Sequence, residues 1–523
     1  MPVTGRYNSF VYNDGTLYGE SAITGILLWV VEIDWDQDKI FDGSNEAGRM
    51  FSIQWNRGRK KMLKQPSIQG NKAISLGFET IPPGSCTIKL RNGDGRFDSS
   101  NQDSPLYPYV TYGPDVRIRN VNQATGAWHN VFFGTIVDVK PYGYGADAYV
   151  EIKIEDGSRV LRANTARSPI TESVTPGQAI NNILSAVNWP AHWGRNIDNG
   201  LETIPYHWAS GNRIAWTELE DVSESFLGLF FIAANGKARF IDRNSTPTSV
   251  MDMDQSILLK DIDNPQPWYT RRNVIRLKVH PMAEAVAQVI YQVTGDPLLV
   301  EAGRSKTIWP SYTYNNVNVP AKDIISPVAT TDYLAHTNSD GSGGTRTSDC
   351  SVSITNFGDN AKMVFTNNSV TNFYVTFRQI RGTAVYEENV SDITYPEDFS
   401  TVINQREFVL DLPWQQSANI ASDYAIVLGE FLDRQNSFPV VKMQGRPEYQ
   451  FIPDLFDVIG SLDIEKLGII GVSFRVGAIE GRSLSDTCQD VETKFFLEPY
   501  MTDGDAWTWP ITDFGVDTVF GAG

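Results

Sequence analysis

Three aspartates at alternate positions form the strongest candidate metal site in this sequence. They are Asp34, Asp36 and Asp38. Alternate carboxylates open the calcium loops of the Asp-x-Asp-x-Asp-Gly type, because Ca²⁺ prefers oxygen ligands. Here Lys39 stands where such a loop needs glycine, and Asn45 stands where it needs the closing glutamate. On a strand, the same spacing places three carboxylates on one solvated face. We therefore expect no bound metal, although the sequence leaves calcium open.

The other residue types that perform catalysis or bind zinc are scattered along the chain. The histidines form no HExxH pair and no His-x-Glu pair with a Cys-x-x-Cys, and the chain has no Gly-x-Ser-x-Gly elbow. The cysteines are odd in number and widely spaced, which favours free buried thiols over a disulfide framework. We therefore expect no catalytic residue, no cofactor-binding residue, no cofactor and no enzymatic activity. The residues are His129, His192, His207, His280, His336, Cys86, Cys350 and Cys488.

One basic cluster runs from Arg57 to Lys61 and includes Lys64. A cluster of this kind can contact DNA or an acidic partner surface. A hairpin tip or a subunit salt-bridge site is the simpler interpretation, because no aromatic platform for single-stranded nucleic acid accompanies the cluster.

Short alternating strands position these residues in the first third of the chain. Residues 86–90 and 149–154 alternate apolar and polar side chains, and turn residues bound them, as in a β-barrel or sandwich. Farther along, Thr175, Pro176 and Gln178 form a capping box that predicts the start of a helix. A second helix follows near residues 215–226.

The remaining elements predict a small α+β domain and an insertion. Two apolar runs around Asn235-Gly236 predict a hairpin that completes the α+β domain. Strand-like runs between residues 352 and 379 predict an inserted β-sandwich. A long helix is predicted between about Pro413 and Arg434, because its apolar residues recur three or four apart.

Composition describes a large, acidic, folded chain. The 523 residues suggest about three or four domains. With 44 Lys and Arg against 62 Asp and Glu, the formal net charge is -18, which argues against binding nucleic acid by neutralising phosphates. The longest apolar stretch, residues 23–33, is too short to span a bilayer. We expect no membrane-spanning segment and no secretory signal.

Several segments, in their order and spacing, resemble the tail-hub or minor tail proteins of long-tailed bacteriophages. They include the turn Asp94-Gly95-Arg96-Phe97 and the loop Ser104-Pro105-Leu106-Tyr107. A faint internal similarity also relates residues 133–154 to residues 476–496, and two explanations stay open for it: two related barrels, or chance similarity between amphipathic strands. The segments are 31–36, 55–59, 90–97, 104–109, 132–136, 183–190, 236–243, 490–499, 506–507 and 514–515.

The resemblance implies a homotrimeric hub in which two barrel domains per subunit alternate around a pseudo-sixfold ring. The implied fold class is mainly β with α+β parts, multidomain, with two β-barrel domains of tail-tube type, a small α+β domain and an inserted β-sandwich. The expected divisions are an N-terminal arm (1–21), the first barrel (22–168), the α+β domain (169–270), the start of the second hub region (271–300), the insertion (301–394), the second barrel (395–505) and a C-terminal tail (506–523).

The resemblance also implies a function in the virion tail. The expected protein is structural: it closes the end of the tail tube, anchors the tip and forms an acidic channel for genome ejection. The implied partners are tube or distal tail ring proteins, tip or fibre proteins, a tape-measure protein and passing DNA without specific binding. Assembly is expected in the bacterial host cytoplasm. Two alternatives stay open: a host-surface binding protein for carbohydrate or protein, and a tail-associated cell-wall hydrolase.

Overall fold

The computed structural model describes residues 28–43, 45–58, 81–121, 126–243, 245, 247–264, 271–433 and 438–500. The predicted N-terminal arm, the predicted C-terminal tail and the basic residues from Arg59 to Lys64 lie outside these ranges. Strands account for 47% of the structure and helices for 15%. The prediction of a mainly β, multidomain chain with α+β parts is confirmed.

The first region consists of six antiparallel strands. Their side chains alternate between a buried and a partly exposed face, as in Val150, Ile152 and Ile154 against Glu151 and Lys153. This alternation is the one that the sequence predicts. The strands are β1 (Leu28–Ile33), β2 (Met50–Gly58), β3 (Ser85–Arg91), β4 (Asp115–Val121), β5 (Trp128–Tyr142) and β6 (Tyr149–Glu155).

The second region mixes helices and short strands. The predicted capping box is present, because the Thr175 hydroxyl accepts from the Gln178 N–H (3.3 Å) and the Gln178 side chain accepts from the Thr175 N–H (2.9 Å). The elements are α1 (Ser158–Ala163), β7 (Thr165–Val174), α2 (Pro176–Ala186), β8 (Arg195–Ile197), β9 (Ile204–Ile214), α3 (Ala215–Ser225), β10 (Leu229–Ile232), β11 (Ala238–Ile241) and β12 (Met251–Asp254).

The third region contains an inserted unit, which we define as residues 281–390. The unit has its own hydrophobic core, whose buried residues lie in the sequence from Ala285 to Ala384. Strands on either side of it form a three-stranded sheet in which β13 lies between β24 and β25. The strands are β13 (Val274–Val279), β14 (Met282–Glu284), β15 (Gln288–Val300), β16 (Ser305–Ile308), β17 (Thr313–Tyr314), β18 (Val317–Asn318), β19 (Ala321–Lys322), β20 (Tyr333–His336), β21 (Cys350–Asn356), β22 (Ala361–Asn367), β23 (Phe373–Glu387), β24 (Ser391–Tyr395) and β25 (Glu407–Leu412).

The last region returns to the first sheet. The predicted long helix is present as α4, and the strands after it join the strands of the first region. β2 pairs with β28 from Gln54↔Arg482 to Gly58↔Ala478, so both predicted barrel regions contribute to one 11-stranded sheet. We call this pairing the junction. The elements are α4 (Ala418–Leu432), β26 (Val440–Gln444), α5 (Pro447–Gln450), β27 (Val458–Ile464), β28 (Ile469–Ser483) and β29 (Val491–Pro499).

The largest hydrophobic core is shared between regions. It joins residues of the α+β region, such as Trp216 and Phe231, to residues of the last strands, such as Ile459 and Phe495. Phe231 packs edge-on against Phe456 with ring centroids 4.8 Å apart. The α+β region is therefore packed onto the sheet, and the predicted domain boundaries stay predictions. Within the described ranges, no helix is both long and apolar enough to cross a membrane.

Candidate functional site

The three aspartates of the candidate metal site lie in a turn directly after β1. One carboxylate oxygen from each lies within 4.8 Å of the others. The interpretation as a strand with one solvated face is wrong, because β1 ends at Ile33 and Asp34 is buried while Asp36 and Asp38 are exposed.

Backbone N–H groups already occupy the buried carboxylate of this turn. The Asp34 carboxylate accepts from the N–H groups of Asp38 (3.1 Å) and Lys39 (3.0 Å). Burial raises the pKa of Asp34 above its usual value, although the bond from the Lys39 N–H opposes the rise. Lys39 has φ +76°, a left-handed conformation for which glycine is the usual choice. The expectation that no metal binds stays a prediction.

The scattered histidines and cysteines belong to no group of three potential metal ligands in the described structure. All three cysteines are free and buried, and burial raises the pKa of Cys350 to about 12 and that of Cys488 to about 11, so these thiols are protonated at neutral pH. His192 and His336 bond to Asp115 (2.7 Å) and Thr376 (2.9 Å) respectively. In the described part of the chain, the aspartate turn is the only group of three or more potential ligands close enough to hold a metal.

Arg57, the first residue of the basic cluster, is a buried residue of the fold. Its guanidinium donates to Asp454 Oδ1 (2.5 Å) and to the Ile232 carbonyl (3.0 Å), and its side chain is 4% exposed. For Arg57, the predicted role at a hairpin tip or subunit surface is therefore wrong, because the cation pairs within the chain.

One side of the sheet, opposite the hydrophobic cores, is lined by polar side chains. In β2, Ile53 and Trp55 are buried, whereas Gln54 and Asn56 are exposed or half-buried. Because side chains alternate along every strand, register decides which residues of neighbouring strands share this side. The junction continues the face from β2 to β28, since Gln54 pairs with Arg482 and Asn56 with Glu480.

Strand register arranges this polar face in two rows across seven strands. Each row holds two acidic and two basic residues, so each is neutral in sum. We use "polar face" for these fourteen residues. In strand order β5, β6, β3, β2, β28, β29, β26, the first row is Asp138, Lys153, Thr87, Gln54, Arg482, Glu492 and Gln444, and the second row is Thr135, Glu155, Ser85, Asn56, Glu480, Lys494 and Lys442.

The charges of this face pair with neighbours on the same surface. Arg482 and Lys494 lie 3.2 and 3.9 Å from Glu492, and Lys140 lies 2.9 Å from Asp138. Such partly exposed pairs contribute little to stability. They hold positive and negative charges side by side, and the equal numbers of acidic and basic residues leave the face with no net positive charge.

None of the fourteen residues is apolar. Exposed apolar patches mark surfaces that bind other proteins, and this face does not have that character. It is a broad, hydrophilic and charge-balanced surface that suits contact with water.

The sequence predicts which side chains of each strand face water, but it does not predict which strands lie next to one another in this face. Alternation within β3 and β6 is visible in the sequence and predicts one wet side for each strand. The junction pairs residues that are more than 400 positions apart in the sequence. A local sequence pattern cannot predict a pairing over that distance. The hairpin β5–β6 and the hairpin β28–β29, which coincide with the faint internal similarity, are both antiparallel.

The inserted unit shows no group of exposed aromatic side chains within its described residues. Trp309 is half exposed, and it packs against Phe357 with Arg167 above its ring. The grouping of Trp or Tyr on one face that would favour the host-surface alternative is therefore not seen in this unit.

Comparisons with known proteins give matches among solved structures. No protein-family model matches the chain, and no curated protein matches it. The 43 kDa tail protein of prophage MuSo2 from Shewanella oneidensis aligns over 90% of this chain and 98% of its own, with 9% identity and a TM-score of 0.45. A tail protein from Neisseria meningitidis aligns over 90% and 96%, with 9% identity and a TM-score of 0.45.

A third structure is the prophage tail protein gp18 from Listeria monocytogenes, which aligns over 90% of this chain and 94% of its own, with 10% identity and a TM-score of 0.41. These three solved structures are tail proteins, two of them from prophages, and tail-hub proteins are the family that the sequence resembles.

Proposed function

We propose that this chain is a structural protein of a virion tail: a hub that closes the end of the tail tube, anchors the tip and forms a channel for genome ejection. The observation that carries the proposal is the polar face, which runs without interruption across the junction. Both regions predicted as barrels contribute strands to it.

The charge pattern of this face fits a channel wall that DNA passes without adhering. Proteins hold DNA by neutralising phosphates with Lys and Arg, which releases bound counterions. A face with equal numbers of acidic and basic groups carries no net positive charge with which to neutralise phosphates. The net charge of -18 adds a repulsion that acts over about a Debye length.

The two antiparallel hairpins of the internal similarity support a ring of repeated units. If β5–β6 and β28–β29 belong to related halves, three subunits supply six similar units around one axis, as a closed symmetric ring needs. The partners of such a hub are tube or distal tail ring proteins, tip or fibre proteins and a tape-measure protein.

The buried carboxylates of α3 do not favour the hydrolase alternative. Burial raises the pKa of Glu218 and Glu220 to about 7, which is a value that a general acid needs. Glu218 is 2% exposed, and Glu220 accepts from the Trp216 indole (2.6 Å). A cell-wall glycan cannot reach the buried Glu218 carboxylate, and the partly buried Glu220 carboxylate is held by the Trp216 indole, so we propose no enzymatic activity.

Adding unopposed cations to the polar face is expected to slow DNA release from assembled tails. Gln54→Lys with Thr87→Lys adds two positive charges to one row without breaking an ion pair. We expect release to slow about fivefold or more at low salt, with the effect shrinking as salt rises. Release kinetics of labelled DNA from triggered particles measure it.

The matched control is Gln54→Glu with Thr87→Glu, which changes the same positions with the opposite charge. This variant should release DNA at the unmodified rate or faster. Equal slowing in both variants, or no slowing with the lysines in fully assembled tails, would show that the face does not meet passing DNA.

A further inference from the structure

His280 lies where the chain passes from the body of the protein into the inserted unit. It follows the last residue of β13, and only Pro281 separates it from the first residue of β14. The return crossing is beside it, because the Glu388 N–H donates to the Pro281 carbonyl (2.9 Å). The His280 N–H donates to the Gln415 carbonyl (3.0 Å), which fixes the His280 main chain relative to the body.

The two ring nitrogens of His280 face two different carboxylates. Nδ1 bonds to Glu387 Oε1, at the end of β23, and Nε2 lies 2.6 Å from Asp411 Oδ1, on β25. A carboxylate only accepts hydrogen bonds, whereas a neutral imidazole has one donor and one acceptor. Both contacts form together only when the ring is doubly protonated and positively charged.

The arrangement joins the two parts of the chain through one side chain. Glu387 belongs to the last strand of the inserted unit, and Asp411 belongs to the three-stranded sheet of the body. We propose that His280 is a proton-operated clamp, which holds the inserted unit against the body when charged and loosens it when neutral.

Other charged groups around the clamp come from the sheet and from α3. Lys278 lies in register with both Asp411 and Asp392, and Asp221 of α3 acts on Asp411 by charge repulsion. Burial lowers the pKa of His280, but the hydrogen bonds with Asp411 and Glu387 outweigh burial and leave the pKa raised above its usual value.

The sign of the pH dependence follows from this rise. A histidine whose pKa is higher in the folded state contributes its full stability below the usual value near 6.5. That contribution is lost as the pH rises through the higher, folded-state pKa. The clamp therefore holds in mildly acidic solution and loosens in alkaline solution.

Hydrogen–deuterium exchange of the full chain tests the clamp. After correction for intrinsic rates, exchange in β14 and at the end of β23 should rise about two- to fivefold between pH 6 and pH 9, as expected for loss of a partly exposed ion pair. In His280→Gln the rise should vanish. His336→Gln is the matched control, because His336 bonds to the Thr376 hydroxyl whereas His280 bonds to two carboxylates, and it should keep the rise.

A double variant keeps the test decisive if His280→Gln fails to fold. Glu387→Gln with Asp411→Asn leaves the ring in place and removes both negative charges, so the rise should vanish there too. A pH-independent rate in the unmodified protein, or a rise that survives in a folded variant lacking the histidine or both carboxylates, would overturn the proposal.

Discussion

Replacing Trp55 by alanine is expected to lower the free energy of unfolding by about 3–5 kcal/mol, as for other large aromatic residues removed from a core. Trp55 is 3% exposed, and its ring lies 6.2 Å from that of Trp29 and 6.3 Å from that of Phe451. The indole fills the space under the junction, so its loss leaves a cavity between β2 and β28.

Gly481 lies opposite Trp55 and provides a second test of the same packing. It pairs with Trp55 across the junction, and a Cβ at Gly481 would lie 2.0 Å from the Trp55 ring. Gly481→Ala alone should cost about 2–3 kcal/mol, because the indole must move in a packed core. In the Trp55→Ala background the same change should cost almost nothing, since the ring that it meets is gone.

Urea unfolding of the four proteins, followed by circular dichroism, measures this coupling. The control is Gly48→Ala, at a position where a Cβ would meet nothing within 4 Å. It should change stability by less than about 0.5 kcal/mol. Additive costs for the two junction variants would contradict the packing described here.

Arg57→Met is expected to destabilise the protein by about 3 kcal/mol, because it breaks a buried ion pair and leaves one partner uncompensated. The Asp454 carboxylate, which is 23% exposed, would keep its bond from the Ala234 N–H (2.9 Å) but lose its cation. The Ile232 carbonyl would lose a buried donor. Arg57 thereby connects β2, β10 and the segment before β27.

Arg271→Met is the matched control, since Arg271 forms an exposed pair with Asp433 at 2.9 Å. Exposed pairs contribute about 0–1 kcal/mol, so this variant should unfold at nearly the unmodified urea concentration. If both variants unfold alike, Arg57 has no special role in joining the regions.

Local patterns predicted most of the helices and strands. The capping box at Thr175 and the Asn-Gly turn before Lys237 specify their elements through neighbours a few residues away, so α2 and the β10–β11 hairpin are found as expected. The strands of the insertion are also present as β21, β22 and β23.

Features that depend on distant partners were not predictable. The turn at Asn92-Gly93-Asp94-Gly95 has the residues of a tight hairpin, yet β3 pairs with β2 and β6. The Asn92 side chain instead accepts from the Phe97 N–H (2.9 Å) and shapes a loop. Likewise, the sequence predicts Arg57 to be a surface cation, because its partner, Asp454, is almost 400 residues away in the chain.

The polar face illustrates the same limit at the level of the candidate site. Net charge predicts an acidic surface everywhere, but register selects four acidic and four basic residues for this one face. Only the junction places the charged residues of the first region beside those of the last region. The local charge of a surface thus depends on strand pairing, which the composition of the chain does not contain.

Electron cryomicroscopy of assembled tails tests the proposed ring. We expect a closed threefold ring of this chain around a pore, with Gln54, Arg482 and Glu492 on the water-filled wall. A single copy of the chain in each tail, or a ring in which a neighbouring subunit covers the polar face, would contradict it.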